Sequence, residues 1–175
     1  MHDSVPVAAS GTSNMFPDVH HVGVVVADCA RSTRRLAAVT GRPAMDPFED
    51  RYDNILVEGS QRPFSLRLSF IWLGNVLVEL LEPMDAHSPH AAFLEGSGEG
   101  FHHLGFRVEG LEAYAQRLEG LGMRRLIDSS VAVGASQWIY LVDPTSGGQV
   151  IELMAKGALN DAFFDRVDRA LGLTS

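Results

Sequence analysis

HHVGVVV, residues 20–26, returns 82 residues later as HHLGFRV, residues 102–108. Self-similarity at a fixed spacing marks a duplicated structural unit, and this match continues without a gap. Arg35-Leu36 falls against Arg117-Leu118, each pair at the end of a helix-like run and shortly before a glycine, Gly41 or Gly122. Each copy therefore starts as a strand followed by a helix. Further along, VLVELLEP at 76–83 matches QVIELMAK at 149–156, an apolar strand with one glutamate set inside it. Each half opens on a histidine strand and closes on a glutamate strand.

Between those ends, RPFSLRLSFIW at 62–72 alternates, and Gly74-Asn75 turns it into the glutamate strand as a hairpin. SQWIYLVDPTSGGQVIEL at 136–153 is the equivalent in the second half, with turn chemistry from Asp143-Pro144 and Gly147-Gly148. SPHAAFLEGSGEG at 88–100 reads as a short helix capped by Ser88, with Pro89 in its first turn and glycines after its end. The elements predict an α+β chain of two βαβββ modules. The expected layout is a flexible tail over 1–17, one domain over 18–156 (module one 18–84, a linker helix 88–95, module two 101–156) and a C-terminal helix over 158–172. That helix takes Asn160 as N-cap, carries the apolar stripe Phe163, Phe164, Val167 and Leu171, and stops at Gly172. It would cover the barrel end or a dimer interface.

Apolar residues make up 46% and charged residues 21%, the proportions of an ordinary globule. The net charge of −8, from 22 acidic and 14 basic residues with no dense Lys/Arg run, excludes a nucleic-acid partner. Cys29 is the only cysteine, so no internal disulfide forms and the cytoplasm is the expected compartment; at a helix start it reads as buried filler. No stretch approaches the roughly 20 apolar residues of a membrane span. MHDSVPVAASGTSNM at 1–15 lacks the basic start and apolar run of a secretory signal.

Side chains alternate along a strand, so parity decides which residues share a face. Val22, Val24 and Val26, like Leu104, Phe106 and Val108, have the parity that packs on each unit's helix. His21 and Gly23, like His103 and Gly105, take the opposite, concave face, where the glycines leave room beside the imidazoles. His20 and His102 fall on the helix-facing parity and read as supporting residues. Glu79 and Glu152 sit among apolar neighbours, where an unpaired carboxylate costs several kcal/mol. The available partners are the two histidines. Two imidazoles and two carboxylates suit one divalent ion (Zn, Ni, Co, Fe, Mn or Mg), with water completing its shell.

These paired strands resemble the vicinal oxygen chelate superfamily, which includes glyoxalase I, extradiol dioxygenases, bleomycin-resistance proteins and methylmalonyl-CoA epimerase. LGNVLVELLEP, then DAHSPHAAFLEGSGEGFHHLGFRVEGLEA, then GGQVIELM is most similar to the epimerase-like branch, and the resemblance spans about 18–156. It implies a pair of half-barrel modules, a homodimer or a chain whose two modules close on each other, and a small-molecule substrate. It also implies His21, Glu79, His103 and Glu152 as metal ligands, with Glu152 doubling as an acid/base. The epimerases carry a second catalytic glutamate where this chain reads SQRPFSL, with Pro63 and Phe64 at the place and Glu58 nearby.

The chemistry expected is proton transfer beside a carbonyl through a metal-stabilised enolate, moved by Glu152 or Glu79, in an epimerase, isomerase or lyase acting on an acyl-CoA or α-hydroxycarbonyl compound. The alternatives are an extradiol-type dioxygenase, which Glu79 as fourth ligand would crowd, and a non-catalytic binding protein of the bleomycin-resistance kind. Arg67 and Arg107 are candidate contacts to a substrate carboxylate or phosphate, and Phe70, Trp72, Trp138 and Met154 candidate cleft linings.

Overall fold

The computed structural model describes residues 17–132 and 134–173; the tail expected over 1–17 lies, except for Pro17, outside them. Module one runs β1 (His21–Val25), α1 (Cys29–Thr40), β2 (Phe48–Tyr52), a small hairpin of β3 (Leu56–Val57) and β4 (Ser60–Gln61), then β5 (Phe64–Leu73) and β6 (Val76–Pro83). The linker helix α2 (Pro89–Ser97) leads to module two: β7 (Gly100–Val108), α3 (Leu111–Gly120), β8 (Arg124–Asp128), β9 (Trp138–Asp143) and β10 (Gln149–Ala155). Helix α4 (Ala158–Ala170) ends the chain.

The strands form one mixed sheet, ordered β2-β5-β6-β1-β7-β10-β9-β8-β3-β4, and the modules join where β1 pairs antiparallel with β7. Each first strand lies parallel to the last strand of its own module, β1 to β6 and β7 to β10, with α1 or α3 as the crossover helix. The β3–β4 hairpin, unforeseen in the sequence, leaves module one and pairs with β8 of module two. Its two-residue turn places Glu58 (φ 50) and Gly59 (φ 77) in the left-handed region, the conformation of a tight type I′ hairpin turn.

The helices start and stop where local chemistry dictates. Asp28 caps α1 by accepting from Arg31 N at 2.8 Å, and Ser88 caps α2 by accepting from Ala91 N at 3.1 Å. For α4 the expected cap is replaced: the helix begins earlier, after Gly157, and the buried Asn160 donates through Nδ2 to Gln137 O and Ala155 O. It ties α4 to the end of β10 instead of capping the helix.

The parity argument describes the layers. Val24 and Val26 pack with Leu36 and Ala37 of α1, and Leu104, Phe106 and Val108 pack with Leu111, Ala115 and Leu118 of α3. On the concave side Leu66, Leu68, Phe70, Leu77 and Leu81 from module one meet Trp138, Tyr140, Val150 and Met154 from module two. Phe164 and Val167 of α4, with Leu171 just past its end, close over this cluster, so the apolar stripe covers the concavity. Burying each such side chain contributes about 1.5–3 kcal/mol. Cys29 is fully buried, and burial pushes its thiol up to about 11, so it stays an inert filler.

One feature of the register positions everything polar in this layer. Gly23 lies across from Glu79 on β6 and from His103 on β7, and Gly105 lies across from His21 on β1 and Glu152 on β10. A Cβ at Gly23 would overlap the imidazole of His103, and one at Gly105 would overlap that of His21. Neither glycine has a positive φ, so space rather than backbone freedom demands it. Gly105→Ala should therefore lower stability to urea by about 1–3 kcal/mol, the usual cost of overpacking. Gly96→Ala in α2, which meets open space, should be neutral or stabilising; equal effects at the two sites would refute the close-approach argument.

Candidate metal centre

His21 and His103 reach the concave face from the adjacent strands β1 and β7, and Glu79 and Glu152 from the flanking strands β6 and β10. The two Nε2 atoms are 3.1 Å apart. His21 Nε2 lies 2.9 Å from Glu152 Oε2 and 3.3 Å from Glu79 Oε2, while His103 Nε2 lies 3.4 Å from each. One donor atom from each residue falls within 4.8 Å of the others, and all four residues are buried. A tetrahedral ion with bonds near 2.1 Å sets its ligands about 3.4 Å apart, so the spacing suits such an ion.

Two further observations fit a cation at the common point. Glu152 Oε2 is buried without a hydrogen bond: its neighbour His21 Nε2 stands at ion-pair distance but without hydrogen-bond alignment. Two imidazole nitrogens also face each other across the same gap. A buried polar atom left in that state is costly, and a shared cation satisfies all four groups.

The imidazoles and carboxylates shift one another's protonation. Burial opposes a charged imidazole, yet Glu152 and Glu79 beside it carry His21 up to about 10, and His103 rises for the same reasons. Burial likewise opposes both carboxylates, but contact with His103 and His21 holds Glu79 and Glu152 below the ordinary glutamate value. The cluster thus favours charge on the imidazoles and on the carboxylates facing them. Behind it, His20 Nδ1 lies 3.2 Å from His21 Nδ1, and His102 Nδ1 lies 3.0 Å from His103 Nδ1. Burial, then the neighbouring His21 or His103, lowers His20 to about 4 and His102 to about 3, so both stay neutral.

Parity had placed these outer histidines toward the helices, and the structure corrects it. Between β1 and β7 the pairing steps from Gly23–His103 to Val24–Phe101, leaving His102 as the extra residue of a β-bulge. Its ring turns inward, 4.7 Å from that of His90 and 5.0 Å from that of Phe93. His20 precedes β1, outside the strict alternation, and lies 4.4 Å from the Phe164 ring.

A cavity of about 420 Å³ opens onto the cluster, touching His21, Glu79 and Glu152. Met154 and Trp138, two of the candidate linings, border it. Phe70 and Trp72 instead meet α4: Phe70 packs 5.7 Å from Phe163, and Trp72 Nε1 donates to Asp168 at 3.3 Å. Arg107 pairs with Asp161 and lies over the Phe164 ring, again on α4. Their place on the concave side was legible, but the helix occupies that part of it. Arg67 has the opposite parity to the cavity-lining Leu66 and Leu68, and pairs with Glu49 at 2.7 Å and Glu82 at 3.0 Å. Glu58 is exposed beside Arg124 in the hairpin turn, and Phe64 is a core residue.

Sequence reasoning missed Asp50 and Tyr52 of β2 and Tyr140 of β9, all lining the cavity. The alternation Phe48-Asp50-Tyr52 and the step of two from Trp138 to Tyr140 were the available signals. Burial pushes both phenols well above their ordinary value, so both keep their protons.

Comparison with known proteins agrees with this architecture. Residues 20–142 match the family model described as Glyoxalase/Bleomycin resistance protein/Dioxygenase superfamily. An ethylmalonyl-CoA/methylmalonyl-CoA epimerase of Cereibacter sphaeroides is 30% identical over 146 residues, covering 79% of this chain and 98% of the relative. A Mycobacterium tuberculosis methylmalonyl-CoA epimerase structure superposes with a TM-score of 0.62 at 22% identity, covering 87% of this chain and 97% of that one. A Streptomyces coelicolor methylmalonyl-CoA epimerase in complex with 2-nitronate-propionyl-CoA gives 0.61 at 21% identity, over 82% and 100% of the two chains. With its duplicated βαβββ modules meeting at a shared His/Glu cluster, the chain belongs to the Glyoxalase/Bleomycin resistance protein/Dioxygenase superfamily.

Proposed function

We propose that the protein is a metal-dependent enzyme of the epimerase type, which moves a proton on and off a carbon next to a carbonyl in a small-molecule substrate. The observation that carries this reading is the grouping of four buried donor atoms from both modules within 4.8 Å of one another, three of the four residues lining a cavity. A divalent ion held by His21, Glu79, His103 and Glu152 would supply the Lewis acidity that stabilises an enolate. The chain supplies the rest. Glu152, which lines the cavity, takes the proton. Asp50 and Tyr52, on the wall contributed by β2, are the groups available to return one: return to the opposite face of the same carbon is epimerisation, and return to a neighbouring atom is isomerisation. Leu66, Leu68, Phe163 and Phe164 keep water from the reacting carbon. The relatives named for acyl-CoA substrates support a thioester or a related carbonyl compound, of which the cavity would hold the acyl end.

The charge state of the cluster sets the pH dependence. His21 rises from 6.5 to about 10, so its contribution to the stability of the metal-free protein is complete below about 6.5 and is lost as pH climbs through about 10. Glu79 and Glu152 are depressed from 4.5, so theirs is present above that value and lost in acid. Metal-free protein should be most stable between these limits and lose stability on the alkaline side. Metal-loaded protein should not show that alkaline loss, because the ion replaces the Nε2 proton. Binding should release protons, seen in calorimetry as an enthalpy that varies with the buffer, and affinity should rise between about pH 6 and pH 9. An affinity flat across that range would remove the imidazoles from the site.

The proton step is read by deuterium exchange into candidate acyl-CoA and α-hydroxycarbonyl compounds. Glu152→Gln should retain an ion while slowing exchange by about 10²- to 10⁴-fold. Exchange that persists unchanged in a metal-loaded Glu152→Gln enzyme would take the base role away from Glu152.

A further inference from the structure

We infer that His20 and His102 are positioning residues: each accepts at Nδ1 a hydrogen bond from Nδ1–H of the adjacent His21 or His103, fixing the tautomer that presents a bare Nε2 to the ion. The inference rests on reading the four-residue cluster as a metal centre. A neutral imidazole binds a cation only through the nitrogen without a proton, and the hydrogen bond at its other nitrogen decides which one that is. Here the pull from the site is the wrong way, since Glu152 Oε2 and Glu79 Oε2 lie 2.9 and 3.3 Å from His21 Nε2 and favour a proton there. An acceptor at Nδ1 opposes that pull. The contacts of 3.2 Å in module one and 3.0 Å in module two supply it.

Consecutive residues of a regular strand point to opposite faces, so a His-His contact of this kind does not form by default. The two modules reach it by different means. In module two a β-bulge turns His102 inward, and in module one His20 precedes the strand, bonded through its backbone N to Gly105 O at 2.8 Å. Two unlike devices that end in the same Nδ1-to-Nδ1 contact point to a requirement of the site rather than to local packing. Each outer ring is also held from behind. His102 packs against His90 and Phe93 of α2, and His20 against Phe164 of α4. As acceptors at Nδ1, both carry their own proton on Nε2.

The test is titration of the full-length protein with Co(II), whose visible spectrum reports the ligand set. Asparagine can place Oδ1 close to the position of a histidine Nδ1 and accept the same bond, whereas leucine cannot. His102→Leu and His20→Leu should each weaken Co(II) binding by about 10- to 100-fold, and His102→Asn and His20→Asn should recover most of it. Nitrogen NMR of the Zn(II)-loaded parent should show His21 and His103 protonated at Nδ1. Asparagine variants that bind as poorly as the leucine variants, leucine variants that bind as well as the parent, or bare Nδ1 atoms would each overturn the inference. His20, only partly buried, keeps the comparison open if His102 variants fail to fold. A parent chain that takes up no Co(II) would overturn the metal reading itself and this inference with it, a result distinct from a failure confined to the variants.

Discussion

The central condition of this molecule is the burial of two carboxylates within apolar strands, Glu79 at 8% and Glu152 at 7% exposure. Neither could be tolerated alone, since a charge left unpaired in a core is more destabilising than most packing contacts are stabilising. Each finds two imidazoles at distances between 2.9 and 3.4 Å. Those distances exist only if four strands hold one register, because a slip of one residue would turn a whole strand's side chains over. The cluster and the central β6-β1-β7-β10 pairing therefore specify each other. Gly23 and Gly105 belong to the same constraint, as each is the floor on which the opposite module's imidazole lies.

Duplication explains why the site sits at the seam. Each module contributes one histidine and one glutamate, and each histidine lies over a glycine of the other module. The modules are stitched together at β1–β7, and again at the far edge by the β3–β4 hairpin on β8. A cation bound across this seam would be stabilised by both modules and would in turn stabilise their pairing, so ligand affinity and fold stability share one free energy.

The sequence carried the symmetric part of this picture well and the asymmetric part poorly, for a physical reason. Strand parity and the repeat, read from His21, His103, Glu79 and Glu152, place four side chains on one face with no knowledge of the tertiary packing. The hairpin turn at Gly74-Asn75 and the cap at Ser88 are equally local, and both stand where the local chemistry puts them. What parity cannot see is a bulge, and a single extra residue at His102 reverses its face. Nor can it see which part of a concave face another element will occupy. Phe70, Trp72 and Arg107 all contact α4, a competition settled only by where the C-terminal segment docks. Asp50 and Tyr52 were missed because β2 is an edge strand with charged residues interleaved, which hides its alternation.

That docking has a counterpart in module one, where α2 follows β6 as α4 follows β10 and packs Phe93 and Leu94 on the same concave cluster. Between these helices the cavity reaches β2 and the loop before β9. Beside α4 the cavity is lined by Phe163 and Phe164, whereas the side at β2 and the loop before β9 carries Asp50, Arg51, Asp53 and Ser129. A substrate entering such a space is sorted by polarity along its length, an apolar portion toward α4 and a polar remainder toward solvent. The two ligand carboxylates would neutralise a divalent ion's charge, leaving the site about neutral before substrate arrives. On the proposed reading, an oxygen anion developing there would be stabilised by direct contact with the ion rather than by excess positive charge of the site as a whole. Such a site depends on preorganisation, and that is a physical reason for its ligands to be held as tightly as the glycine floors and the outer histidines hold them.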